Sequence, residues 1–117
     1  TAPAKAGLSL ALDQTPERIE VRADSRFASN AAVRGAAVYL ALYENRLGSK
    51  VTAGENAART LRHDYVVRHL VGPLDPLRAH HCFVVESGWK LADLGVAAFV
   101  LDVRGETLQA LARPACP

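Results

Sequence analysis

Hydrophobic and polar residues alternate along much of this chain, the pattern of strands that bury one face. In residues 8–12 leucines alternate with small or polar residues, and in residues 18–23 β-branched residues alternate with charged ones. Because residues 14–16 between these two segments contain a proline, they are predicted to form the turn of a β-hairpin. Residues 24–30 are polar and are predicted to form a loop or bulge.

Residues 36–43 differ from the first two strands because they are apolar at both odd and even positions. One parity holds Val38, Leu40 and Leu42, and the other holds Tyr39, Ala41 and Tyr43. A strand with two apolar faces is typical of a central position that is covered on both sides. The second face therefore needs a cover, such as another domain or a loop. Residues 44–46 are predicted to turn the chain.

The middle of the chain has weaker patterns. Residues 51–60 contain Gly54 and a polar, alanine-rich run, which predicts a loop with at most one helical turn. Residues 61–71 fit a strand or a helix ending at Gly72, and their β-branched and aromatic residues favour the strand. As a strand, one face would carry Leu61, His63, Tyr65, Val67, His69 and Val71. Residues 73–79 are predicted to form a loop.

The last third of the chain predicts three strands, at residues 81–86, 96–103 and 106–112. Residues 87–94 fit a single helical turn that carries Trp89, with Ser87 as its cap and Gly95 at its end. The glycine of residues 104–105 supplies the backbone angle of a tight turn.

About seven short strands separated by turns every ~8–12 residues predict an all-β fold, an immunoglobulin-like β-sandwich with one short helical turn. A chain of 117 residues fits one domain, here residues 1–117, with a core that needs neither metals nor multiple crosslinks. The chain starts at Thr1 and contains no methionine, so we expect a processed chain or an excised domain.

Composition excludes several functions. A net charge of +2, spread-out basic residues and 6% aromatic residues argue against nucleic-acid binding. The sequence lacks an apolar run of the ~18 residues that a membrane-spanning helix requires. It has no Cys-x-x-Cys motif and no spacing typical of a catalytic triad, so we predict neither a catalytic residue nor a cofactor for this chain.

The densest group of polar side chains lies within residues 54–70. It consists of Glu55, Asn56, Arg59, His63 and Arg68. Carboxylate, amide and guanidinium groups in one loop can orient an anionic or peptide-like ligand through paired hydrogen bonds. The alternative is that the acidic and basic members pair with each other while the amide satisfies loop backbone groups.

The histidines form a weaker candidate for a metal site. On one strand face His63 and His69 would lie about 20 Å apart, too far to bind one ion unless the strand bends. His80 and His81 would point to opposite faces of an extended strand. A structural zinc site needs four convergent ligands, so part-buried strand histidines are the favoured interpretation.

Cys82 and Cys116 allow one disulfide, which requires their Cα atoms to lie within about 7 Å. If the last three strands form a meander, the two cysteines would lie at opposite ends of a sheet. A twist or a trailing tail would bring them together. Otherwise Cys82 is a small buried apolar residue and Cys116 is free to pair outside the chain.

Two segments resemble one bacterial family of secreted proteins, domain of unknown function family 1223. They are GENAARTLRHDYVVRHL, residues 54–70, and VAAFVLDVRGETLQALARPAC, residues 96–116, and the resemblance covers residues 36–116. It implies that the chain is the C-terminal β-sandwich of a longer, periplasmic or secreted protein. The N-terminal part of that protein would be thioredoxin-like and carry a Cys-x-x-Cys-type site.

The expected function is therefore a non-catalytic accessory or interaction domain. Its partner would be its own N-terminal thioredoxin-like domain or another exported protein. The alternative is a module that binds a small anion, a peptide or a metal through the polar residues of positions 54–70.

Overall fold

A computed structural model describes residues 6–45 and 65–115. Its strands in these ranges are β1 (Ala6–Gln14), β2 (Arg18–Phe27), β3 (Ala37–Asn45), β4 (Tyr65–Leu74), β5 (Arg78–Val84), β6 (Leu94–Leu101) and β7 (Thr107–Pro114). The described helical segments are short: α1 (Asn30–Val33) and a 3₁₀ helix (Leu91–Asp93). The all-β prediction is confirmed. Neither described helix is long or apolar enough to cross a membrane.

The strands form two antiparallel sheets packed face to face. One has the order β1-β2-β5 and the other the order β4-β3-β6-β7. The last three strands therefore do not form the meander considered for the two cysteines, because β5 pairs with β2 while β6 pairs with β3. The physical reason is burial: β6 is apolar on both faces, so it lies beside the equally apolar β3 at the centre of the larger sheet.

The main core lies between the inner faces of the two sheets. Its largest side chains are fully buried: Ile19, Val21, Val38, Leu40, Leu42, Leu94, Val96 and Val100. The predicted hairpin of β1 and β2 is confirmed. Its turn is closed by Thr15, whose N–H donates to the carbonyl of Arg18 at 2.8 Å and whose hydroxyl accepts from the N–H of Arg18 at 3.1 Å.

Strand β2 continues beyond the predicted boundary. Residues 24–27 pair with β1, so the predicted loop over residues 24–30 is wrong for its first half. The inward position there is Ser25, which is buried, and Ala23 precedes it on the same face. Because Ala23 and Ser25 are small or polar, the inward positions of this part of β2 do not show the apolar–polar alternation of a strand. The second half contains Ser29, whose hydroxyl accepts from the N–H of Ala32 and caps α1.

Strand β3 is central, as predicted, with β4 on one side and β6 on the other. It ends later than expected: Glu44 and Asn45 pair with Val66 and Tyr65 of β4 rather than forming a turn. Pairing with both β4 and β6 thus extends strand β3 beyond Tyr43, its last apolar residue.

The described part of residues 61–71 is strand β4, so the strand prediction is confirmed there; Leu61 and His63 lie outside the described residues. The predicted common face is wrong, because the register shifts between the Leu42–His69 and Tyr43–Val67 pairs. Arg68 is the extra residue of a β-bulge, and it places Val67 and His69 on opposite faces.

The loop predicted over residues 73–79 is also too long, because β4 runs to Leu74 and β5 begins at Arg78. The connection is a short turn in which the Asp75 carboxylate accepts from the N–H of Leu77 at 2.8 Å. Aspartate thus closes a turn that is shorter than the predicted loop.

The connection between β5 and β6 carries the short helical turn that the sequence predicts, but its ends differ. The 3₁₀ helix follows Lys90, which makes no side-chain cap, and Gly95 lies inside β6. The Ser87 cap and Gly95 stop are therefore wrong. The predicted tight turn at Gly105 is present, with φ 84° and its N–H donating to the carbonyl of Asp102 at 2.9 Å.

Candidate functional site

The side of the four-stranded sheet that faces away from the core is apolar, and we call it the outer face. Its members come from β3, β4, β6 and β7: Tyr39, Ala41, Tyr43, Val67, Leu70, Ala97, Phe99 and Ala112. The pairs Tyr39–Phe99 and Ala41–Ala97 are direct cross-strand neighbours. The outer face is thus continuous across the sheet.

Burial on the outer face is uneven. Ala41 and Ala97 are buried beneath their neighbours, whereas Leu70 is 63% exposed and Val67 is 46% exposed. Tyr39 and Phe99 are half-buried. Leu70 and Val67 on the edge strand β4 adjoin the apolar residues of β3, and a contiguous exposed apolar patch is a common mark of an interaction surface.

On the outer face a tyrosine ring lies over a glycine of an adjacent strand. A Cβ atom at Gly72 of β4 would lie within 2.8 Å of ring carbons of Tyr39. Gly72 also has φ 148°, a backbone angle that other residues rarely adopt. Gly72, which the helical alternative used as a stop signal, instead leaves space for the ring of Tyr39.

Arg68, the one member of the predicted polar group that the structure describes, contacts two other described residues, Glu44 and Trp89. Its Nε donates to Oε1 of Glu44 at 3.0 Å, and its Nη2 bonds to the same oxygen. Its guanidinium carbon lies 5.5 Å from the ring centre of Trp89, a cation–π distance. The bulge directs this side chain toward Glu44 and Trp89. Because the carboxylate already balances its charge, Arg68 is poorly placed to take an anion.

Aromatic rings bridge the two sheets next to this ion pair. The ring centre of His69 on β4 lies 5.8 Å from the ring centre of Trp89 and 6.5 Å from that of Phe83 on β5. The ring centres of His81 and Phe83 lie 4.6 Å apart, with the rings in an edge-to-face arrangement. The expectation of part-buried strand histidines therefore holds for His81 but is wrong for His69 and His80, which are exposed. Trp89 anchors the β5–β6 connection against the core.

The remaining predicted members, Glu55, Asn56, Arg59 and His63, lie outside the described residues. The polar group therefore stays a prediction. No signal in the sequence pointed to Glu44 as the partner of Arg68, because the two are 24 residues apart and meet only through the pairing of β3 with β4.

The metal and disulfide candidates lie on β5. His80 is exposed on the outside of the three-stranded sheet, while His81 is half-buried on its inner side. Within residues 6–45 and 65–115, no three histidine, cysteine or acidic side chains are grouped to hold a metal ion. Cys82 is half-buried and forms no disulfide within these ranges. Cys116 lies outside them, so their pairing stays a prediction.

Comparison with known proteins agrees with this fold. A profile of the family described as "Protein of unknown function (DUF1223)" matches residues 1–101. A crystal structure of a domain of the outer membrane lipoprotein Omp28 from Porphyromonas gingivalis is similar, with a TM-score of 0.65 and 18% identity, covering 93% of this chain and 86% of that chain. At this identity the likeness shows the fold alone. No curated protein matches the chain.

Proposed function

The chain belongs to the DUF1223 family of proteins of unknown function, and from this premise we propose that it is a non-catalytic interaction domain of an exported bacterial protein. Its outer face packs against another domain of the same protein, which we take to be thioredoxin-like. The profile includes β1 and β2, which the motifs quoted above did not, and it ends at residue 101, before β7 and most of the quoted segment 96–116.

The observation that carries this proposal is the exposure of Leu70 and Val67 on a sheet face that is otherwise apolar. Burying one leucine side chain contributes roughly 1.5–3 kcal/mol, so an exposed pair beside half-buried aromatic rings offers substantial free energy to a partner. Tyr39 and Phe99 would extend the contact across the sheet. Aromatic residues are enriched at the centres of protein interfaces.

Two findings support the remaining parts of the proposal. The solved relative is described as a domain of an outer membrane lipoprotein, which supports export and a role as one part of a larger protein. The charged side chains at Arg68 and Glu44 neutralise each other rather than forming an open polar site. That arrangement supports a non-catalytic role for the described part of the chain.

The substitution Leu70→Lys tests the proposal in the full-length gene product that contains this chain. In the isolated domain the side chain is 63% exposed, so we expect a change of less than about 0.5 kcal/mol in the free energy of unfolding. In the full-length protein the buried lysine would weaken docking and lower the melting temperature of this domain. Leu77→Lys, at a position 49% exposed in the turn between β4 and β5, is the matched control. Equal melting shifts for the two variants in the full-length protein would rule the docking surface out.

A further inference from the structure

Strand β5 has one edge that no described strand covers. It is the last strand of the three-stranded sheet and pairs only with β2. Its seven residues contain neither proline nor glycine, and Val84 at its end is 64% exposed. An uncovered strand edge carries unpaired N–H and C=O groups that can pair with another strand.

The hydrogen bonds of β2 and β5 show which backbone groups lie on that edge. The N–H of Ser25 on β2 donates to the carbonyl of Leu77, and the N–H of Val85 donates to the carbonyl of Glu17. Both bonds involve odd-numbered residues flanking the two ends of β5, so the odd-numbered residues of β5 are the ones that bond to β2. Directly opposite residues in an antiparallel pair exchange bonds only at alternate positions. The N–H and C=O groups of the even-numbered residues therefore point to the edge that no described strand covers: Arg78, His80, Cys82 and Val84.

The other sheet edges are protected. Strand β4 carries the bulge at Arg68 and a proline at Pro73, both of which disrupt pairing. Strands β1 and β7 lie beside each other, and the Gln109 side chain donates to the carbonyl of Ala6 at 3.5 Å. Among the described strands, β5 thus has the edge best suited to accept a partner.

We propose that β5 pairs antiparallel with β5 of a second copy of this chain, which joins the two three-stranded sheets into one. The register that uses the whole strand sets Arg78 opposite Val84 of the second copy and His80 opposite its Cys82. In this register each of the four edge-facing residues meets another edge-facing residue, so the N–H and C=O groups on this edge pair between the two copies.

Self-complementarity favours a second copy over an unrelated strand. Arg78 is the charged residue of β5, and the register keeps it away from its counterpart, because the two lie at opposite ends of the paired strands. Its opposite residue is the exposed Val84, whose aliphatic surface can cover the arginine stem. Like charges would otherwise face each other and destabilise the pair.

Charge placement at Val84 tests the register. Val84→Lys sets lysine opposite Arg78 of the second copy twice in each dimer, so we expect dimer affinity to fall at least about threefold; Val84→Glu should raise it by a similar factor. Sedimentation equilibrium over a concentration series measures both. Combining Arg78→Glu with Val84→Lys should restore affinity, because these residues lie at opposite ends of β5 and can meet only between copies.

A crosslink tests the same register independently. In a Cys116→Ser background, His80→Cys should form disulfides with Cys82 of the second copy under mild oxidation, whereas the background alone should not form them. Val67→Lys, on the other sheet, should leave the dimer intact. A monomer at every concentration, a dimer broken by Val67→Lys, or equal effects of the Val84 lysine and glutamate variants would overturn the proposal.

Discussion

The ring of Tyr43 on β3 lies directly over Gly95 on β6, its cross-strand partner. A Cβ atom at Gly95 would overlap that ring and would lie 2.9 Å from the carbonyl oxygen of Arg113 on β7. Gly95 does not have a positive φ, so the position requires glycine for space rather than for backbone conformation. The same arrangement recurs at Tyr39 and Gly72.

Gly95→Ala should therefore destabilise the domain. We expect the free energy of unfolding to fall by about 2–3 kcal/mol, because the ring or the backbone of β7 has to move to admit a methyl group. Urea denaturation followed by tryptophan fluorescence measures the change. Gly7→Ala is the matched control, since its Cβ atom would meet Arg26 at an ordinary 3.7 Å, and its effect should stay near zero.

A double-mutant cycle separates the ring from the backbone contact. If the Tyr43 ring is the main obstacle, Gly95→Ala should cost less in a Tyr43→Ala background than in the native protein, with a coupling of about 1 kcal/mol or more. Additive effects would show that Arg113 and β7, rather than the ring, require the glycine.

The role of the glycines in these tyrosine–glycine pairs could not be predicted from the sequence. The two apolar parities of β3 correctly indicate a central strand. Glycine, however, marks helix ends and turns in a local pattern, so Gly72 and Gly95 suggested stops although both lie inside strands. Their role depends on a ring from another strand, and that contact exists only once the register is set.

Ser25 provides a second stability test. It is a buried polar residue of the inner face, and its hydroxyl has no hydrogen-bond partner among the described residues. Removing an unsatisfied buried hydroxyl should raise the free energy of unfolding by about 1 kcal/mol, so Ser25→Ala should stabilise the domain. Ser9→Ala, at an exposed position of β1, should change stability much less. A destabilised Ser25→Ala variant would show that the hydroxyl is satisfied in solution.

Trp89 should contribute more to stability than its half-buried position suggests, because it contacts both Arg68 and His69. We expect Trp89→Ala to lower the free energy of unfolding by about 2 kcal/mol, somewhat less than a fully buried tryptophan would cost. Calorimetric unfolding measures this loss. His80→Ala, at an exposed site, is the control; equal losses for both would disprove the anchoring role.

The β-bulge at Arg68 is a second feature that the sequence pattern did not predict. Period-two alternation predicts strand β4 but assumes an unbroken ladder, so it placed Val67 and His69 on the same face. One inserted residue reverses the parity beyond it. Likewise, the chain order suggested that β5, β6 and β7 form a meander, whereas the assignment of β5 to the smaller sheet depends on which faces must be buried together.

Ligand binding by the predicted polar group can be tested by comparing variants of Arg68 and Arg59. Because Arg68 is engaged with Glu44, we expect Arg68→Ala to leave any rise in melting temperature caused by small anions or divalent metals unchanged. Arg59→Ala should abolish such a rise if the group binds a ligand. A thermal-shift screen with both variants measures this, and loss of the response in Arg68→Ala would show that this arginine also binds.

Hydroxyl-radical labelling of Leu70 tests the docking of the outer face most directly. We predict that oxidation of this side chain, 63% exposed in the domain alone, falls severalfold in the full-length protein. Leu77, which is 49% exposed in the β4–β5 turn, should be oxidised equally in both. Equal oxidation of Leu70 in the isolated domain and the full-length protein would contradict the account.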